Sequence, residues 1–539
     1  MLLIATAVPA VTSVKNSAIN TTAPSCPLTG MAMLGTAVPG VESLQNSAIN
    51  ARVPSHPLAR MAGGWTETQK LTVSDAVVEL FGNSLTIDGD TAIIGAPGDD
   101  GNNGSVYVFT RTGGIWTQQQ KLTASDPGID DNFGISVALN GDTALIGADD
   151  FISLDNSGAA YMFTRTGTTW TEQQKLTASD GTSGDQFGCS VSLSGDTALI
   201  GACHDDDNGA DSGSAYVFTR TGTTWIQQAK LLASDGEAGA NFSVSVSISG
   251  DTALIGGWRH YNDPDNPGAA WVFTRTGTTW TQQAKLLGSD SAPGDSFGGG
   301  VSLDGDTALV NAPNDDDLGA YSGTTFVFTR TGTTWIQQAK LLASDGTAYD
   351  WFGSTVSLDG DTALIGAAND APHGTGSGSA YVFTRTGTTW TQQQKLTASD
   401  GATNDNFGAP VYLDGSTAFI ATIYDPTHGA NSGSVYVFTK SDLTFSITGG
   451  LGVKAVIKNN GTSDVTGIPW QIHVQGGILG MINKTVNGTI DIPAGGSKTV
   501  GTGMFFGFGA ISITAKVADE EKTATGTILL FFVIGIKEG

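Results

Sequence analysis

Trp258, Arg259, His260 and Tyr261 stand side by side in the stretch GGWRHYNDPDNPG, and no other segment of the 539-residue chain joins these four types. Exposed Trp, Tyr and Arg anchor interfaces and stack on sugars, because each pairs a flat, polarisable surface with a polar edge. Binding is the chemistry such a loop suits; a locally decayed copy of a repeat is the plainer account of the same letters. Catalytic signatures are missing. There is no GxSxG elbow, HExxH, CxxC pair or phosphate loop, and the six His are scattered. Catalysis would have to rest on carboxylates alone. Those are abundant: the net charge is -26, and only eight of the 51 acidic residues are Glu. Asp favours turns, where its short carboxylate bonds nearby N–H groups, so the charge belongs to loops. Such a surface repels nucleic acid and anionic membranes and suits cations or cationic partners. Three Cys exclude a disulfide scaffold; Cys189 and Cys203 flank one expected hairpin, as a cross-strand bridge or as two buried thiols.

What positions these loops is a repeat. The phrase TRTGTTW ends at Trp170, Trp225, Trp280, Trp335 and Trp390, with TRTGGIW ending at Trp116, each 54 or 55 residues from the last. A period of that size is one supersecondary unit copied in tandem. In the copy from Phe297, FGGGVSLD and TALVNAP alternate apolar and polar residues about an Asp-Gly-Asp turn, which is a hairpin pattern. NDDDLGAYSG is a polar loop, GTTFVFTR a third strand, and TTWIQQAKLLAS a fourth after a Thr-Gly turn. No stretch carries a helical period. Seven units begin at Phe81, Phe133, Phe187, Phe242, Phe297, Phe352 and Phe407.

A four-stranded sheet cannot bury both faces alone, but seven can stack radially as propeller blades. The expected fold is all-β: a seven-bladed β-propeller of four-stranded antiparallel blades over residues 65–441. WTETQKLTVS at Trp65–Ser74 copies the fourth strand ahead of the first unit, whereas the seventh unit is followed by the poor copy SDLTFSIT. The N-terminal strand is therefore expected to complete the last blade and close the ring. Two acidic or basic positions recur too regularly to mark a site: Asp131, Asp185, Asp295, Asp350 and Asp405 before the Phe, and the Arg of each TRTG.

The units resemble FG-GAP repeats, the blades of the integrin α-subunit head and of many microbial surface proteins. Phe81-Gly82 with Gly95-Ala96-Pro97 carries both naming motifs, and Phe-Gly recurs at 133, 187, 297, 352 and 407. Blade four departs with Phe242-Ser243 and Gly256-Gly257-Trp258, and blade seven with Ala421-Thr422-Ile423. The resemblance implies Ca²⁺ in the loop between the second and third strands, since a hard cation takes roughly six to eight oxygens and alternate carboxylates supply them. The positions that match are Asp205, Asp207 and Asp211 in blade three, Asp315 and Asp317 in blade five, and Asp99, Asp100 and Asn103 in blade one. None keeps the integrin spacing, and solvated loops whose Asp bond their own backbone are the alternative.

Residues 1–64 hold a duplication of period 30 and an apolar start, MLLIATAVPAV, without a positive n-region; they read as a disordered leader or degenerate signal. From Asp442 to Gly539 the repeat stops, and short alternating strands suggest an immunoglobulin-like β-sandwich of about seven strands. The apolar run Ile528–Ile536 is too short for a membrane helix and is expected as a buried strand. The functional expectation is an extracellular or cell-surface, non-catalytic adhesion protein binding a protein or glycan ligand, without nucleic acid or a transmembrane helix. The alternatives are a hydrolase or lyase acting on polysaccharide or phosphoester, and an architectural surface-layer component.

Overall fold

The computed structural model describes residues 64–73, 80–126, 128, 131–150, 156–258, 266–426, 432–440, 443–459, 465–517, 520–530 and 532–538. The expectations for the leader therefore fall outside the described residues, Gly64 excepted. Seven four-stranded antiparallel sheets follow one another along the chain. Blade five shows the plan: Val301–Asp304, Thr307–Ala312, Thr324–Thr331 and Thr334–Leu341 pair in that order. The β-branched and aromatic residues of the second and third strands are buried on both faces, because a neighbouring blade covers each side. The cores accordingly lie between blades. One cluster joins Ile93, Val106, Val108 and Leu122 of blade one to Phe133, Ile146, Tyr161 and Trp170 of blade two.

The motif glycines sit where adjacent blades touch backbone to backbone. A Cβ on Gly95 would stand 2.1 Å from the carbonyl oxygen of Gly134 in the next blade. Gly134 itself has φ +94, a region that excludes most side chains. The Phe beside it is wholly buried and meets Tyr161 edge to face at 5.4 Å. Blade five places Asn311 where five of the others have Gly and blade seven has Ala421, and its Nδ2 donates to the Gly353 carbonyl at 2.6 Å, replacing close approach by a bond.

The ring closes as expected. Trp65–Leu71 pairs antiparallel with Ser434–Lys440, Trp65 opposite Lys440 and Leu71 opposite Val435. Gln394 of blade six binds both the N–H and the carbonyl of Trp65 at 2.8 Å, as Gln120 binds Trp170 and Gln174 binds Trp225 in the interior. A second belt runs around the axis. The hairpin-turn side chains Asp88, Asn140, Ser194, Ser249, Asp304, Asp359 and Asp414 each accept the N–H of the next blade's turn glycine, and Asp414 accepts from Gly89 of blade one. The TRTG arginines tie blades too: Arg330 bonds Asp306 in the first hairpin turn of its own blade and Thr252 in the previous blade.

Beyond residue 442 two antiparallel sheets share one core. They hold nine strands among the described residues, three in one sheet and six in the other, where the sequence suggests about seven. The apolar run is a further correction. It folds as a hairpin with Leu529 opposite Phe532, so Ile528 and Val533 face the core while Leu529 (48% exposed) and Phe532 (53%) face outward. Strand alternation exposes every second residue whatever its type.

Candidate functional sites on the loop face

The loops between second and third strands lie against the links that enter the following blade, as the Tyr349 N–H to Ala320 carbonyl bond shows. In blade three the first loop carboxylate, Asp205, is buried. Its Oδ1 accepts the Asp207 N–H at 3.1 Å, and its Oδ2 accepts the Tyr216 hydroxyl at 3.0 Å and the Lys230 ammonium at 2.9 Å. Lys230 comes from the fourth strand, and it also reaches Asp207 at 2.7 Å and Asp180 at 2.9 Å. Asp180 belongs to the link arriving from blade two. Burial by itself would lower the lysine's proton affinity, but bonds to Asp207, Tyr216, Asp180 and Asp205 outweigh it and hold the ammonium above its ordinary range.

The remaining calcium candidates divide. Asp315 and Asp317 surround Lys340 with Asp290, in the blade-three arrangement. Asp99 binds Lys121 at 2.8 Å and the Tyr107 hydroxyl at 2.9 Å, with Asp100 at 3.6 Å from the ammonium. Asp211 stands apart: its backbone is left-handed at φ 55, and its carboxylate lies 3.9 Å from His204 Nδ1. Asn103 serves through its backbone, its carbonyl accepting the Phe133 N–H. No group of three or more His, Cys, Asp or Glu among the described residues is arranged to hold a metal. Blades six and seven, whose loops look poorer in sequence, build the same centre from Lys395 with Asp345 and Asp370, and Lys70 with Asp400 and Asp425. The lysine of the QQAKL phrase is the partner that sequence reading overlooked; its recurrence once per unit was the available signal. Asp295, Asp350 and Asp405 do have the expected turn role, accepting N–H groups from Ala292, Thr347 and Ala402.

Of the blade-four quartet, Arg259, His260 and Tyr261 lie outside the described residues. Trp258 is half-buried beside Gly299 of blade five. A different aromatic pair is fully described. Tyr321 and Tyr349 stack with ring centroids 5.7 Å apart and an interplanar angle of 27°. They are 39% and 46% exposed, and both have left-handed backbones, φ 57 and 72. Equivalent positions elsewhere hold Asp211 and Gly376, and Gly184, Gly239, Gly294 and Asn404, all with positive φ. Tyr is costly there, since its Cβ crowds the backbone.

Cys189 and Cys203 are free, and the neighbouring Cys189 thiol together with burial pushes the Cys203 thiol up. At the hairpin-turn end of the axis, a cavity of about 240 Å³ is lined by Asp304, Asp359, Asp414 and Tyr412. Burial, with Asp359 and Asp88 nearby, raises Asp414 above the usual carboxylate range.

No curated protein sequence matches the chain. The solved structure of YjhT aligns over 59% of this chain and 97% of its own, at 15% identity and a TM-score of 0.37, too distant to bear on activity. The family match is direct. The FG-GAP repeat matches seven times in succession, at residues 65–109, 116–163, 170–218, 225–273, 280–328, 335–383 and 390–438. With one match on every blade, over more than half the sequence, the chain belongs to the FG-GAP repeat family.

Proposed function

We propose that this is an extracellular or surface-displayed binding protein, non-catalytic, which presents the loop face of its propeller to a glycan or protein ligand. The C-terminal two-sheet unit, read as immunoglobulin-like, serves as spacer or anchor. The observation that carries the reading is the Tyr321–Tyr349 pair: two exposed, stacked rings held on left-handed backbone that sister blades form with Gly, Asn or Asp. Backbone strain retained at an exposed aromatic, where six sister copies avoid a ring, is the pattern of a site kept for contact rather than for folding. Tyrosine supplies a rigid apolar face at low entropic cost and a hydroxyl at its rim, which suits a sugar ring or a peptide surface. FG-GAP propellers are typically extracellular, and no described helix is long and apolar enough to cross a membrane.

The test separates binding from stability. Wild type and the Tyr321→Gly/Tyr349→Gly variant are compared on glycan and extracellular-protein arrays. The variant is expected to lose binding of the ligands that wild type captures while unfolding at an equal or higher temperature, since glycine relieves the left-handed strain. Undiminished capture by the variant would refute the site.

A further inference from the structure

We infer that the fourth-strand lysine is the resident cation of the loops that the family likeness assigns to calcium. With the lysine in place, the donor set does not fit a metal. Asp205 uses Oδ1 on the Asp207 N–H and Oδ2 on the Tyr216 hydroxyl and Lys230. Asp370 repeats this with the Ala371 N–H, the Tyr381 hydroxyl and Lys395. Calcium needs roughly six to eight oxygens converging on one point, and here an ammonium already holds that point. Lys340 shows the same solution: Asp290 at 2.8 Å, Asp315 at 3.2 Å, and Asp317 beside them. Each lysine ammonium also lies over the aromatic ring of the third strand, Nζ 5.1 Å from the ring centre for Lys230 on Tyr216 and 5.2 Å for Lys340 on Phe326. A ring face and carboxylates together favour an organic cation on a tether.

The tether explains what the exchange achieves. Asp180 and Asp290 come from the link of the preceding blade, while Asp205, Asp207, Asp315 and Asp317 come from the lysine's own blade. One ammonium therefore offsets part of the loop's negative charge and fastens two blades. A covalently attached cation cannot dissociate, so the ring holds without dissolved calcium. The device recurs at Lys70 and Lys395, and Lys121 holds the loop of its own blade through Asp99.

Thermal unfolding of the full chain in calcium chloride, in magnesium chloride and in chelator, at matched ionic strength, tests this. The wild-type midpoint is expected to be the same in all three. Lys340→Met keeps the apolar stem and removes the charge; its midpoint in chelator is expected to fall by roughly 2–4 °C and to rise again with millimolar calcium. Lys395→Met, with fewer carboxylates around it, provides the second variant should the first not fold. A wild-type midpoint that rises with calcium but not magnesium would overturn the inference. So would folded variants as stable in chelator as wild type, or variants whose midpoint calcium does not move.

Discussion

Removing the Trp65 side chain should open the ring at its one seam. Trp65 is 3% exposed and packs with Leu364, Leu396, Tyr436 and Phe438, thereby joining blades six and seven. Trp65→Ala leaves the strand's backbone pairing and its two bonds to Gln394 in place, so the loss is packing alone. A buried Trp covers roughly 150–250 Å², worth about 4–6 kcal/mol at about 25 cal/mol per Å². Large-to-small core changes deliver about 3–5 kcal/mol of that. Urea unfolding followed by far-UV circular dichroism reads the loss directly. Trp225→Ala, at the same place on an interior fourth strand, is the reference. Both should lose about 3–5 kcal/mol, but only Trp65→Ala frees a seam at which the array can unzip. Its transition should therefore also broaden, with a lower urea dependence. A loss under about 1 kcal/mol for Trp65→Ala, with Trp225→Ala behaving as stated, would show that the terminal strand does not hold the ring.

Two further outcomes follow from the geometry. Burial raises the Asp295 carboxyl to about 6, above its unfolded value, so the folded state binds the proton more tightly. Its contribution to stability is complete below the unfolded value and is lost as pH rises through 6. Asp295→Asn keeps an acceptor for the Ala292 N–H. It should stabilise the protein at pH 7 by on the order of 1 kcal/mol and flatten the melting profile between pH 4 and 7; an unchanged profile would rule out the assignment. Gly95→Ala drives a methyl into the Gly134 carbonyl and should cost about 3 kcal/mol or more, whereas Gly89→Ala, with open space at its Cβ, should cost only the left-handed strain of about 1–2 kcal/mol. Equal losses in equilibrium denaturation would contradict the contact between blades.

The strands, their number per unit, the seven units and the closing strand were all legible in the chain, because each rests on local information repeated many times. Alternation in VSLD and TALVNA sets which residues face a neighbour, and the surplus copy WTETQKL before the first unit names the strand that must return. The ends of loops were not legible. Lys340 meets Asp290 across 50 residues and Asp315 across 25, and nothing in the spacing of the carboxylates says that an ammonium will fill their centre. The outward half of the 528–536 hairpin, and the meeting of Tyr321 with Tyr349, likewise depend on how links and turns are laid against one another. Hydrophobic period is a property of each strand and can be read one strand at a time. Charge partners and stacked rings are chosen by the packing of blade on blade, which brings distant positions within a few ångströms and is decided only when the ring is closed.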